Sequence, residues 1–66
     1  AKYIGQIHHV LVEEASRRDE NQMAGKNEYN ITVNFPGSKD LVGQIVNVKI
    51  TSAGESTLRG ERIEEN

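Results

Sequence analysis

From Val46 onward, the segment Ile45-Val46-Asn47-Val48-Lys49-Ile50-Thr51 alternates apolar and polar side chains. Successive side chains of a β-strand point to opposite faces, so its two valines and Ile50 share one face. The polar residues share the other face, which is the pattern of a strand with one buried and one solvent-facing side. This segment therefore predicts a β-strand.

Four further segments show strand patterns bounded by turn residues. They are Gln6–Glu14, Gln22–Lys26, Asn30–Phe35 and Thr57–Ile63. Short strands at this spacing, separated by Gly and Pro, predict a small barrel or sandwich. Ser38–Val42 has room for one helical turn, and no apolar stripe persists at helical spacing for two full turns.

The composition favours a closed architecture. The chain has 66 residues and no cysteine, which excludes disulfides, thiolate metal sites and cysteine nucleophiles. A domain of about this size buries only about 60% of the surface that its unfolded chain exposes. Closing the sheet into a barrel removes the unpaired strand edges that such a small domain would otherwise have to protect.

Charge and hydropathy exclude some classes of protein. The net charge of −2 does not by itself favour nucleic acid, although the distribution of charge over the folded surface decides that question. His8 and His9 interrupt the longest apolar run, so we expect no transmembrane helix, no signal peptide and no membrane partner. The lack of cysteine fits a cytoplasmic protein. A start at Ala1 rather than Met favours a fragment or a processed chain.

Six short motifs resemble, in their order and spacing, those of a TRAM domain. They are VLVE at 10–13, GK at 25–26, VNFPG at 33–37, LVG at 41–43, VNVKIT at 46–51 and LRGE at 58–61. The resemblance covers roughly residues 7–63. The VNFPG and LRGE segments are most similar to the C-terminal TRAM domain of bacterial MiaB-type tRNA methylthiotransferases.

The resemblance implies a fold and a domain organisation. It implies an all-β, five-stranded antiparallel barrel related to the OB-fold. We expect the barrel over residues 6–63, the end of a preceding helix or a linker over 1–5, and an acidic tail over 64–66.

The resemblance also implies a function. TRAM domains are regarded as RNA-binding appendages. The methylthiotransferases are radical S-adenosylmethionine enzymes with 4Fe-4S clusters, and they add a methylthio group to N6-isopentenyladenosine beside the tRNA anticodon. The implied partners are the anticodon stem-loop of tRNA and the catalytic domains of the same chain. The cluster-binding cysteines belong to those other domains, so we expect no catalytic residue, cofactor or metal in these residues.

Candidate RNA contacts are the cations and polar groups of the outward strand positions and loops, which suit phosphates, sugars and base edges. They are Arg17, Arg18, Lys26, Asn27, Tyr29, Asn30, Asn34, Lys49, Arg59 and Arg62. Surface cations also keep any domain soluble. The family often has arginine at Lys26 and a basic residue at Ile31, and both departures weaken the expected affinity there.

The rings have separate expected roles. Phe35 is in phase with the apolar residues of its strand and is expected in the core. Tyr29 follows a turn and can either stack on a base or pack at the rim of the barrel. His8 and His9 are neighbours on a strand, so they point to opposite faces and cannot hold one metal ion together.

Two other functions remain open from the sequence. The domain can be a structural or protein-interaction module that packs on its catalytic domains with little RNA contact, which the acidic balance and Ile31 favour. A free-standing RNA chaperone similar to the cold-shock barrels fits the fold, but such proteins display several surface aromatics and this chain has few.

Overall fold

A computed structural model describes residues 2–16 and 21–63. In that part the chain forms five strands and one short 3-10 turn at Lys39–Leu41. The strands are β1 Ile7–Ala15, β2 Gln22–Lys26, β3 Thr32–Pro36, β4 Ile45–Ala53 and β5 Thr57–Ile63. All five predicted strands and the predicted helical turn are therefore confirmed, with ends that shift by at most two residues.

The strands close into a barrel in the order β1-β2-β3-β5-β4, with β4 returning to β1. Four of the neighbouring pairs are antiparallel, but β3 and β5 are parallel, with Val33 opposite Leu58. The predicted five-stranded barrel is confirmed, and every pair of these strands except this one has the expected antiparallel orientation. Directions cannot alternate all the way round a ring with an odd number of strands, so at least one pair must run parallel.

Among residues 2–16 and 21–63, nine buried apolar side chains fill the barrel, one or more from each strand. They are Val10, Val12, Met23, Val33, Phe35, Val46, Val48, Ile50 and Leu58. The expected core position of Phe35 is confirmed, and so is the inward orientation of Val46, Val48 and Ile50 on β4. Breaks in register between Val12 and Glu14 and between Ile50 and Ser52 mark bulges, which increase the local bend of a strand.

The segment before β1 is a turn that lies against β4. The Gly5 N–H donates to the Ile50 carbonyl at 2.8 Å, and the Ile50 N–H donates to the Gln6 carbonyl at 2.8 Å. Ala1 and the predicted acidic tail over 64–66 lie outside the described residues. Within the described part, the chain forms no helix of the length and apolar character needed to cross a membrane.

Candidate nucleic-acid interface

One outer face of the barrel is formed by three neighbouring strands. Antiparallel pairing sets Lys26 opposite Thr32 and Ala24 opposite Asn34, and parallel pairing then sets those β3 residues opposite Thr57 and Arg59. We call this surface the β2–β3–β5 face. Its members are Ala24, Lys26, Thr32, Asn34, Thr57 and Arg59.

The β2–β3–β5 face carries two cations among its six residues, all of which the structure describes, and the exposed Glu61 is the next outward residue of β5 after Arg59. The ammonium of Lys26 donates to the hydroxyl of Thr32 at 2.9 Å, and Arg59 is exposed. Two strand spacings and a two-residue offset separate the Cα atoms of Lys26 and Arg59 by about 12 Å. The face therefore offers positive charge at two separated points with hydroxyl and amide groups between them.

Two other predicted cations lie away from this face. Lys49 is exposed on β4 directly opposite Glu61, so an opposite charge accompanies it. Arg62 lies at the far end of β5 and lines a groove with Glu61 and the Pro36–Ser38 loop. The predicted pair Arg17 and Arg18 falls outside the described residues. The structure thus brings together only Lys26 and Arg59 of the predicted cations that it describes.

The expected outward position of Asn27 is wrong, because its side chain is buried and only 7% of its surface is exposed. Its Oδ1 accepts hydrogen bonds from the N–H groups of Tyr29 and Ile31, each at 2.9 Å. Asparagine commonly holds a turn in this way, and sequence alternation alone does not distinguish the two roles. Asn30 in the same turn is exposed and has a φ of 62°.

A cluster of rings closes this end of the barrel. The ring centroid of Tyr3 lies 5.3 Å from that of His8 and 5.5 Å from that of Tyr29, and His8 and Tyr29 are 5.4 Å apart. Tyr29 is still 56% exposed, so it both packs at the rim and presents a ring to solvent. The sequence signal for this cluster was weak, since Tyr3 precedes the first strand.

His8 is inward and 3% exposed, while His9 is outward and exposed, so their predicted opposite orientation is confirmed. Asn27 uses its oxygen on backbone N–H groups, so its Nδ2 must donate to Nδ1 of His8, at 3.0 Å. Nε2 of His8 then carries the proton and donates to Gln6 Oε1 at 2.9 Å. The hydrogen bonds therefore define a neutral His8 with its proton on Nε2.

His9 binds a carboxylate on the surface. Its backbone N–H donates to Glu28 Oε1 at 3.1 Å, and its ring Nδ1 lies 3.2 Å from Glu28 Oε2. The hydrogen bond from the His9 ring lowers the pKa of the Glu28 carboxyl below its usual value. The described residues contain no group of three or more His, Cys, Asp or Glu side chains placed to hold a metal ion.

A second outer face, on β1 and β4, carries three large exposed apolar side chains and was not singled out from the sequence. Leu11 lies directly opposite Ile45, and Ile7 lies two outward rows further along, opposite Lys49, with the pair of His9 and Asn47 between them. The exposed fractions are 48% for Ile7, 44% for Leu11 and 69% for Ile45. We call these three residues the β1–β4 apolar patch. The alternation that buries Val10 and Val12 necessarily turns Leu11 outward, which is the signal that could have found it.

Relatives of known name match this chain over most of its length. A tRNA-2-methylthio-N(6)-dimethylallyladenosine synthase of Delftia acidovorans is 48% identical over 58 residues, which are 88% of this chain and 13% of that protein. The synthase of the same name from Xanthomonas oryzae is 51% identical over 57 residues, 86% of this chain and 12% of the relative. That of Nitrosospira multiformis is 42% identical over 62 residues, 94% of this chain and 13% of the relative.

The chain thus spans only about an eighth of the length of these relatives. The profile of the TRAM domain family matches residues 1–63, nearly the whole sequence. The predicted resemblance to the TRAM domain of tRNA methylthiotransferases is therefore confirmed, and the chain belongs to the TRAM domain family.

Proposed function

We propose that this domain is an RNA-binding module that helps to position the anticodon stem-loop of tRNA for a larger tRNA-modifying enzyme. The observation that carries the proposal is the β2–β3–β5 face, which presents Lys26 and Arg59 with hydroxyl and amide groups between them in a chain of net charge −2, although Glu61 follows Arg59 on the outer side of β5. Positive charge gathered on one face is the electrostatic footprint of a nucleic-acid-binding protein.

The chemistry of this face suits phosphates and sugars better than base edges. Arg59 can form a bidentate contact with a phosphate, while the ammonium of Lys26 acts as a point charge. Asn34 and the threonine hydroxyls between them can reach ribose hydroxyls. With about two phosphates neutralised, binding by the domain alone should be weak and strongly dependent on salt.

The reaction itself would belong to residues outside this chain. The relatives are named as synthases of 2-methylthio-N(6)-dimethylallyladenosine in tRNA. We propose that the longer protein is a cytoplasmic radical S-adenosylmethionine methylthiotransferase whose other domains hold the 4Fe-4S clusters. In that arrangement the barrel supplies affinity and orientation for the substrate and no reacting group.

Neutralising the two cations tests the RNA interface. We expect Lys26→Gln combined with Arg59→Gln to weaken binding of a tRNA anticodon stem-loop by about tenfold at low salt and to reduce the salt slope by about 2. A fluorescence or NMR titration at several salt concentrations gives both quantities. The matched control is Lys49→Gln with Arg62→Gln, which changes the net charge equally but lies beside Glu61 and off the face.

The two double variants distinguish a local interface from a general charge effect. A loss confined to the Lys26 and Arg59 variant supports the β2–β3–β5 face. Equal losses in both variants would mean that the total charge, and not this face, governs binding. If the unchanged domain did not bind the stem-loop at millimolar concentration, the proposal that the isolated domain binds RNA would be contradicted.

The β1–β4 apolar patch favours a second, compatible role as a docking module. Leu11 and Ile45 are exposed directly opposite each other with Ile7 further along the same face, and the relatives are about seven times as long as this chain. We propose that the remaining domains of the same longer protein cover this patch. Ile7, Leu11 and Ile45 lie on strands other than those of the β2–β3–β5 face, so one domain can dock and bind RNA at once.

Polar substitution of the patch tests docking. In the full-length protein, we expect Leu11→Ser with Ile45→Ser to lower the melting temperature by about 3 °C, because buried apolar area is lost between domains. The same substitutions in the 66-residue domain should leave its melting temperature nearly unchanged. The control Ile4→Ser removes an equally exposed apolar side chain outside the patch. An unchanged melting temperature in the full-length double variant would show that the patch is not covered.

A further inference from the structure

A groove of about 330 Å³ opens where the β4–β5 hairpin faces the N-terminal turn. Tyr3, Ile31 and Leu58 supply its apolar surface, and the hairpin contributes Glu55 and Ser56 as polar groups at its rim. An apolar concavity with a few polar groups at its edge is the usual form of a site for a small planar ligand. The groove is not needed to explain phosphate binding by the β2–β3–β5 face.

Tyr3 presents a ring that its neighbours hold in place. Tyr29 packs against it with a tilt of 31°, and His8 meets it edge to face at 79°. His8 is itself fixed by hydrogen bonds to Gln6 and Asn27. A ring held in this way loses little freedom when a ligand stacks on it, which favours binding.

Lys2 also lines the groove, with its ammonium 5.2 Å from the centroid of the Tyr3 ring. The Tyr3 ring is therefore already in contact with the ammonium of an exposed lysine in the groove. A nucleobase stacking on this ring would gain more than the exposed cation contributes there. The displaced ammonium would then be available to a neighbouring phosphate.

The groove adjoins the β2–β3–β5 face directly. Thr57 belongs to both, since it lines the groove and lies opposite Thr32, whose hydroxyl accepts the hydrogen bond from Lys26. The Cα atoms of Thr57 and Lys26 are two strand spacings apart, about 10 Å. The phosphates of one RNA strand can therefore lie on the β2–β3–β5 face while one base of the same strand enters the groove.

We propose that this groove binds one unpaired nucleobase of the RNA whose phosphates lie on the β2–β3–β5 face, an inference that rests on the proposed function. The base stacks on the ring of Tyr3. Ser56 and Glu55 meet its edge, where the carboxylate accepts hydrogen bonds from exocyclic amino or ring N–H groups. Lys2 moves to a phosphate of the same strand.

Two oligonucleotides of equal charge separate base binding from phosphate binding. One probe is a heptameric single-stranded polyuridylate, and the other is a heptamer of the same ribose-phosphate backbone without bases. In an NMR titration of the 66-residue domain, we expect the base-bearing probe to bind about tenfold more tightly and to shift the amide signals of residues 54–56. The abasic probe should shift only signals of the β2–β3–β5 face.

Variants of the ring complete the test. Tyr3→Leu keeps an apolar side chain but removes the ring, and we expect it to abolish the tenfold preference while leaving abasic binding unchanged. Tyr3→Phe should retain the preference. Ile4→Leu, in the same turn but outside the groove, is the control, and thermal melts of each variant confirm that the fold is intact.

The outcomes distinguish this inference from the proposed function. Equal affinity for both probes would overturn the base site and leave the phosphate interface in place. A preference that survives Tyr3→Leu would locate the base elsewhere and also overturn it. Absence of binding by either probe would contradict the proposed function together with the inference drawn from it.

Discussion

Replacing Gly60 by alanine is expected to destabilise the barrel by about 3 kcal/mol, at the upper end of the usual range for overpacking. Gly60 lies on the inward side of β5, opposite Ile50 of β4. A Cβ at this position would collide with the backbone carbonyl oxygen of Lys49 and would lie 2.6 Å from Cγ1 of Val48. The carbonyl cannot move without breaking the pairing between β4 and β5.

The size of this effect matters because the domain is small. A domain of this length has a total stability of about 3–10 kcal/mol, so the substitution is expected to remove a third or more of it. Urea denaturation of the two proteins, followed by circular dichroism, measures the difference directly. Gly25→Ala should behave similarly, because its Cβ would collide with the carbonyl oxygen of Leu11 on the neighbouring strand β1.

Gly54→Ala provides the matched control. A Cβ at Gly54 would meet its nearest atoms, the carbonyl and hydroxyl oxygens of Thr57, at an ordinary 3.5 Å. We expect a change within about 0.5 kcal/mol, or a slight gain from the reduced entropy of the unfolded chain. If Gly60→Ala and Gly54→Ala lowered the free energy of unfolding equally, the fold would not require the close approach of the strands at Gly60.

The alternation in Ile45–Thr51 was sufficient to predict β4 and its inward face, and the spacing of all five strand patterns predicted a barrel or sandwich. Alternation reports which side of a strand is buried, and a buried side must meet another layer. It does not report which strand lies beside which, so the parallel pairing of β3 with β5 was missed. Closing an odd number of strands requires at least one parallel pair, and the strand order of the whole ring decides that this pair is β3 with β5.

The candidate site was predictable in part for the same reason. Lys26 and Arg59 could be assigned to outward positions, but their common face depends on the β3–β5 pairing. Lys49 satisfied the same sequence criterion and yet lies opposite Glu61. Whether two cations reinforce or two opposite charges cancel is set by strand order and register, which local sequence patterns do not contain.

Asn27 shows a second limit of prediction from the sequence. Its polar side chain was expected at the surface, but it is buried. We expect Asn27→Ala to destabilise the domain by about 3 kcal/mol, since it removes three hydrogen bonds at about 1 kcal/mol each. Two of them hold the N–H groups of the turn before β3, and the third satisfies Nδ1 of the buried His8. Asn47→Ala, at a half-buried outward position, should cost less than about 0.5 kcal/mol and is the control.

Asn27→Asp separates the contribution of the two turn hydrogen bonds from that of the hydrogen bond to His8. The carboxylate keeps both acceptor roles toward the N–H groups of Tyr29 and Ile31, so the expected loss is smaller, about 1 kcal/mol. It has no proton to donate to His8, so the proton of His8 should move from Nε2 to Nδ1 to restore that contact. A long-range 1H–15N spectrum of the imidazole reads this change directly. A His8 ring with its proton on Nδ1 in the unchanged protein would contradict the network, because Asn27 Nδ2 would then face a second donor.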